Sequence, residues 1–239
     1  MKTDKSYLNQ YFNFITSNQI QNEKIRWIYQ SAYNYFYAAY LLAQNGLKNQ
    51  AHNSARMGLE FHWMGLLLKN DSILLRNWCL GRGMSEKEYK KLQELENTTK
   101  LITKLGDKKK IKIKDRQEIY QALSDTSHVK FKNICFMGEG NKHYGHILGG
   151  FQSEYDMRQC INAVDLCMRF VLTEASECYE VADFSEYKRS ELWQISGSLG
   201  VDNDGVAHPH ITSKGNVGSD IANAVAMLEM VANPDEFLK

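Results

Sequence analysis

The sequence predicts an all-α protein: a helical bundle built on an antiparallel helical hairpin, with additional C-terminal helices. Three observations carry that prediction. Only two prolines occur, Pro209 and Pro234, so none interrupts a helix earlier in the chain. Apolar residues recur at helical spacing through several long stretches. No run of alternating β-branched residues is long enough for a sheet, Ile111-Lys112-Ile113-Lys114 being the nearest approach. With 239 residues, 43% hydrophobic and 24% charged, the chain has length enough to bury a core, and wholesale disorder and collagen-like or mucin-like classes are excluded. Residues 1–239 read as a single all-α domain.

The elements follow in order. From Asn22 to Gln44, Ile25, Ile28, Ala32, Tyr35, Ala39 and Leu42 share one helical sector, and Gly46 ends the helix. A second helix, Lys48 to Lys69, carries two apolar stripes, as a central helix would. One stripe, Ala51, Ala55, Gly58, Leu59, His62, Gly65 and Leu66, is rich in small residues that admit a close neighbour. The short turn between these helices makes them an antiparallel hairpin. A break near Asn70 and Asp71 precedes a short helix, Ile73 to Leu80. Ser85-Glu86-Lys87-Glu88 then reads as a capping box opening a helix to about Leu105, stopped by Gly106. Asp115-Arg116-Gln117-Glu118 repeats the start signal for a helix through about Ser127. The segment 133–150 holds five of the sixteen glycines and is read as irregular. Met157, Ile161, Val164, Met168, Leu172 and Ala175 mark a long helix from Ser153 to about Tyr179. Shorter helices are expected at 185–195 and 220–232, with a turn-rich loop from Ser196 to Gly218 between them.

The first twenty residues are too polar for a secretory signal, and the uncharged stretch Trp27–Leu47 contains Gln30, Asn34, Gln44 and Asn45, which argues against a membrane span. Five cysteines without a C-x-x-C fit a reducing cytoplasm, the expected location. The net charge of +1 hides an asymmetry. Residues 1–132 carry +10 and residues 151–239 carry −9, which means either a polyanion-binding face on the basic part or two parts that attract each other. The densest basic stretch, with Lys100, Lys104, Lys108, Lys109, Lys110, Lys112, Lys114 and Arg116, continued by Lys130 and Lys132, reads as a phosphate footprint or a solvated loop.

Other candidates are weighed against plainer readings. Cys160, Cys167 and Cys178 lie on one face of the long helix, too far apart along it to share a metal, and read as buried small hydrophobes. Met137 to His146 has glycines and Lys142 but meets neither nucleotide-loop spacing. Asp202-Asn203-Asp204-Gly205 and His208-Pro209-His210, or His143 and His146 with the last two histidines, hold metal-ligating types without a converging arrangement. No cofactor and no metal is expected. Tyr29, Tyr33, Phe36 and Tyr40, with Tyr37 nearby, form an aromatic stripe suited to a helix interface, to a dimer contact or to base stacking.

Tyr37-Ala38-Ala39-Tyr40-Leu41-Leu42, a glycine-containing turn, and Ala51-x3-Ala55-Arg56-x2-Leu59-Glu60-x5-Leu66-Leu67-Leu68 together resemble the opening hairpin of the HEPN superfamily. Ile119 to His128 is similar to the helix end that carries that superfamily's histidine. The resemblance covers about residues 22–132 and leaves the C-terminal helical part, about 151–239, outside it. It implies an all-α domain, often dimeric, of the kind found in bacterial toxins and in abortive-infection and CRISPR-associated ribonucleases. The likeness implies RNA or a nucleotide as partner, a homodimer, and a metal-independent ribonuclease of a toxin or phage-defence type. In that superfamily an arginine four to six residues before the histidine polarises the scissile phosphate. Here His128 is present, but residues 121–124 read Gln-Ala-Leu-Ser, so Ser124 stands near the arginine's place. His128 would then act on the 2′-hydroxyl or the leaving oxygen, with Arg116 or Lys130 as electrostatic stabiliser. Arg56-x5-His62 has the right spacing on the wrong helix. His62 reads as a hydrogen-bonded core histidine and Arg56 as a partner of Glu60 or His52. The rival reading is a non-catalytic helical interaction module whose partner surface is the tyrosine stripe.

Overall fold

The computed structural model describes residues 6–45, 47–81, 84–127, 154–179, 199–201 and 207–209. The chain divides into two compact units, residues 1–195 and 196–239, with the boundary at the start of the turn-rich stretch. The first is an all-α bundle of eight described helices: α1 (Ser6–Thr16), α2 (Glu23–Gln44), α3 (Lys48–Leu68), α4 (Ser72–Leu80), α5 (Glu86–Glu96), α6 (Thr98–Leu105), α7 (Ile113–Ser127) and α8 (Glu154–Tyr179). In the second, β1 (Leu199–Val201) and β2 (Ala207–Pro209) pair antiparallel with Gly200 opposite His208, in a segment the sequence reading leaves as loop. No helix among the described residues is long and apolar enough to cross a membrane.

The centre of the bundle is α2 lying antiparallel on α3. Gly58 and Gly65 explain how closely they meet, since a Cβ at Gly58 would sit 2.8 Å from the Phe36 ring and one at Gly65 2.7 Å from the Tyr29 ring. Two glycines seven residues apart on α3 thus seat two aromatics seven residues apart on α2. Any larger residue there forces a buried ring to move, and overpacking of that kind costs about 1–3 kcal/mol. The small-residue stripe read from the sequence therefore lies in the helix contact itself. Against this pair packs α8, whose residues 170–176 are all buried, so it is enclosed on every side by α1, α2 and α3. Cys160 and Cys167 are buried in it as free thiols, while Cys178 is half-buried.

Local chemistry sets the boundaries. The Asn22 carboxamide caps α2 by accepting from the Lys24 amide at 2.9 Å, and Asp71 caps α4 from the Leu74 amide at 2.9 Å. Ser85 and Glu88 form the expected reciprocal capping box. That helix, however, does not run to Leu105. Asn97 leaves the helical region at φ −88°, ψ 107°, and its side chain accepts from the Lys100 amide at 3.1 Å, starting α6 afresh. α7 begins at Ile113, ahead of the expected Asp115, because the Asp115 carboxylate reaches back to the Lys112 amide (2.8 Å) and Asp107 takes the Ile113 amide (2.9 Å). α1 is absent from the sequence reading altogether. It is held by Leu8, Tyr11, Phe14 and Ile15, all buried.

Candidate functional site

Between α6 and α7 the chain makes a short cationic loop. Gly106 enters it at φ 65°, a left-handed backbone that suits glycine. The Lys108 amide donates to the Ile111 carbonyl at 2.8 Å, closing a turn over the buried Ile111 side chain. The Lys110 amide donates to the Glu177 carboxylate of α8, tying the loop to the bundle. Along this pinned stretch Lys109, Lys110, Lys112 and Lys114 are exposed and Lys108 is half-buried. Lys112 Nζ donates to the Lys108 carbonyl (2.7 Å), and Lys114 Nζ lies 3.8 Å from Glu118. On α6, Lys100 is exposed and Lys104 pairs with Glu94 at 2.8 Å.

Arg116, two residues further on, departs from the expected basic surface. It is fully buried, with Nε donating to Glu174 Oε1 at 2.5 Å and Nη1 to the Gly106 carbonyl at 2.6 Å. The reason is its position one helical turn into α7, where the side chain points inward to α8 and meets the only charge buried there among the described residues. Glu174 also accepts from Trp63 Nε1 at 2.9 Å, and His62 Nε2 stands 3.6 Å from the same oxygen. The other face of His62 completes the group, with Tyr11 Oη 2.9 Å from Nδ1. A carboxylate facing Nε2 favours the neutral tautomer with its proton there, so Tyr11 donates and Nδ1 accepts. Burial pushes His62 down to about 3, and the Arg116 charge pushes the same way. Burial raises the Glu174 carboxyl, while Arg116 and Trp63 hold against that shift. Tyr11, His62, Trp63, Arg116 and Glu174 are all without solvent access, so the group joins α1, α3, α7 and α8 inside the core.

The remaining candidates fall as follows. Ser124 is buried on α7. His128, Lys130 and Lys132 lie outside the described residues, as do His143, His146, His210 and the segments 137–146 and 202–205. Of the three catalytic candidates, Ser124 and Arg116 are buried, and His128 is not among the described residues. His62 is the core histidine the sequence predicts. Arg56 does not take the expected partners: its Nη2 donates to Asn53 at 3.0 Å and its guanidinium lies 5.9 Å from the centre of the Tyr120 ring, while Glu60 accepts from Thr98. Among the described residues no three His, Cys, Asp or Glu side chains converge as a metal site. The aromatic stripe divides, with Tyr29, Phe36 and Tyr40 in the core and Tyr33 and Tyr37 stacked toward solvent.

Sequence reasoning missed Tyr11, Trp63 and Glu174. Leu8, Tyr11 and Ile15 at spacings of three and four carry a helical signal that would have found the first. A lone glutamate inside the apolar run Phe170–Ala175 would have flagged the third. Compared with known protein families, with curated proteins and with solved structures, the chain matches none.

Proposed function

We propose that this protein is a HEPN-like helical protein that binds RNA or a nucleotide through the loop Lys108–Lys114, with Lys130 and Lys132 extending the footprint. The observation that supports the reading is the loop's construction: five lysines in seven positions, held by Ile111, Asp107, Asp115 and Glu177, with four of the five ammonium stems exposed. A fixed cationic loop meets phosphates with less ordering cost than a free one, and each phosphate neutralised releases counterions. Cleavage, in this reading, belongs to His128 as the metal-independent ribonuclease of a toxin or phage-defence protein. Arg116 is withdrawn from that role by its bond to Glu174.

The test is a titration of labelled structured RNA at low salt, with and without chelator, following retention and cleavage. Wild type should bind with an affinity that falls steeply with salt, at a slope of about −0.7 per phosphate contacted. Lys109→Glu with Lys110→Glu and Lys112→Glu should weaken binding at least tenfold and flatten that slope. A flat titration at low salt defeats the proposal. Chelator-resistant cleavage lost in His128→Ala adds the ribonuclease. The second reading, a non-catalytic interaction module, is favoured by the burial of Arg116 and Ser124. It expects His128→Ala to alter stability alone.

A further inference from the structure

The C-terminal end of α8 is built against its own dipole. A helix end of this kind carries partial negative charge and favours cations, yet α8 has no basic residue in its last turn and places Glu174 and Glu177 close to that end. Its positive charge arrives from elsewhere in the chain. Lys69, just past α3, donates from Nζ to the Cys178 carbonyl, and Arg116 of α7 bonds Glu174. The lysine loop is the third source, its Lys110 amide donating to the Glu177 carboxylate. Glu174 and Glu177 stand about 4.5 Å apart along the helix axis, as neighbours on one side of it. From there they hold the loop at its entry and at its tip. Arg116, bonded to Glu174 Oε1 at 2.5 Å, donates to the Gly106 carbonyl at 2.6 Å where the loop opens, and Glu177 takes the Lys110 amide. The second bond is made to backbone, so it fixes the path of the chain and leaves the exposed Lys110 side chain out of it.

We propose, on the reading that this loop binds RNA, that Glu177 is a positioning residue for that binding. By holding the Lys110 backbone, while Glu174 and Arg116 hold Gly106, it keeps the lysines in the arrangement that meets phosphates. Five lysines in residues 108–114 repel one another, and a stretch of like charge extends when nothing ties it down. The charge of Glu177 itself opposes the ligand, which fixes the sign of the test. A carboxylate beside the loop lowers its positive potential, so by charge alone its removal strengthens RNA binding. As a tether its removal weakens binding, because the cost of ordering the loop then falls on the binding event.

Titration of labelled structured RNA against the full chain at low salt separates the two. Glu177→Ala loses both the charge and the acceptor and should bind at least about fivefold more weakly than wild type. Its salt slope should be unchanged, since every lysine that reaches a phosphate is still present. Glu177→Gln loses the charge and keeps an oxygen that accepts from the Lys110 amide, so it should bind at least as tightly as wild type. Hydrogen exchange of the Lys110 amide gives a readout without RNA: slow in wild type and in Glu177→Gln, fast in Glu177→Ala. Glu177 is half-buried and its bond to the loop is exposed, so both variants should melt as wild type does. It serves here in place of Glu174, whose removal leaves Arg116 unpaired in the core. Wild type that binds no RNA defeats the functional reading and this inference with it. Where wild type binds, Glu177→Ala binding as tightly or more tightly overturns the inference alone. So does Glu177→Gln binding as weakly as Glu177→Ala, or a Lys110 amide that exchanges as fast in wild type as in Glu177→Ala.

Discussion

Arg116 and the lysines of residues 108–114 are neighbours in sequence with opposite surroundings. Four of the five lysines are exposed, on the turn and at the start of α7, whereas Arg116 lies wholly inside, bonded to Glu174 and to the Gly106 carbonyl. The difference teaches that a basic run is not one feature. A guanidinium offers five donors in a fixed plane and can satisfy a carboxylate and a carbonyl at once, which suits it to the interior. Ammonium groups on flexible stems stay hydrated. Here the buried cation also supports the exposed ones, because the carbonyl it holds belongs to the residue that opens the lysine loop.

Breaking the inner half of this comparison should have the largest effect. Arg116→Met strands Glu174 without its partner in the core and should cost about 3–5 kcal/mol in urea denaturation. Arg116→Met with Glu174→Leu should recover much of that loss, since no buried charge is then left alone. A double variant as unstable as the single would show that the pair does more than neutralise itself.

Next in size is the pH response. His62 and His52 are both buried with proton affinities lowered to about 3, His52 by burial first and Lys48 second. The unfolded chain takes up these protons near pH 6.5 and the native chain does not, so stability is lost as pH falls below 6.5. Between pH 7 and 5 each histidine should contribute a loss of about 2 kcal/mol. Glu174, raised by burial, acts with the opposite sign above the ordinary carboxylate range, so acid loss in this window belongs to the histidines. His52→Gln should flatten the pH profile of stability by its own share. An unchanged profile would mean that His52 is protonated inside the fold.

The smallest expected effect sharpens the outer half. Lys109→Glu and Lys112→Glu, each exposed, should shift stability by less than about 0.5 kcal/mol while RNA affinity drops. Destabilisation comparable to that of Arg116→Met would place these side chains in the structure rather than at an interface.

Much of the fold was legible because its signals are local. Ser85 with Glu88 and Gly106 as a stop involve groups within about one turn, and the small-residue stripe on α3 is a repeat within one helix. The break at Asn97 was equally local and was outweighed by the apolar spacing on either side of it. α1 was harder, because Tyr, Phe and Asn are weak helix formers and its helix is stabilised by what Tyr11 and Phe14 pack against.

By itself the sequence determined the bounds of α2, α3 and α4 to within a residue or two, which of their faces are apolar, and that α3 must be approached closely by a neighbour. Tertiary structure alone decided that Arg116 is structural, since Arg116 and Glu174 are 58 positions apart and meet because α7 and α8 both pack against α3. It also decided which aromatics of α2 enter the core and which face outward. The physical reason is range. Caps and periodicity act over a few residues, while burial of a charge depends on whether an opposite charge arrives from elsewhere in the chain, and no local pattern records that.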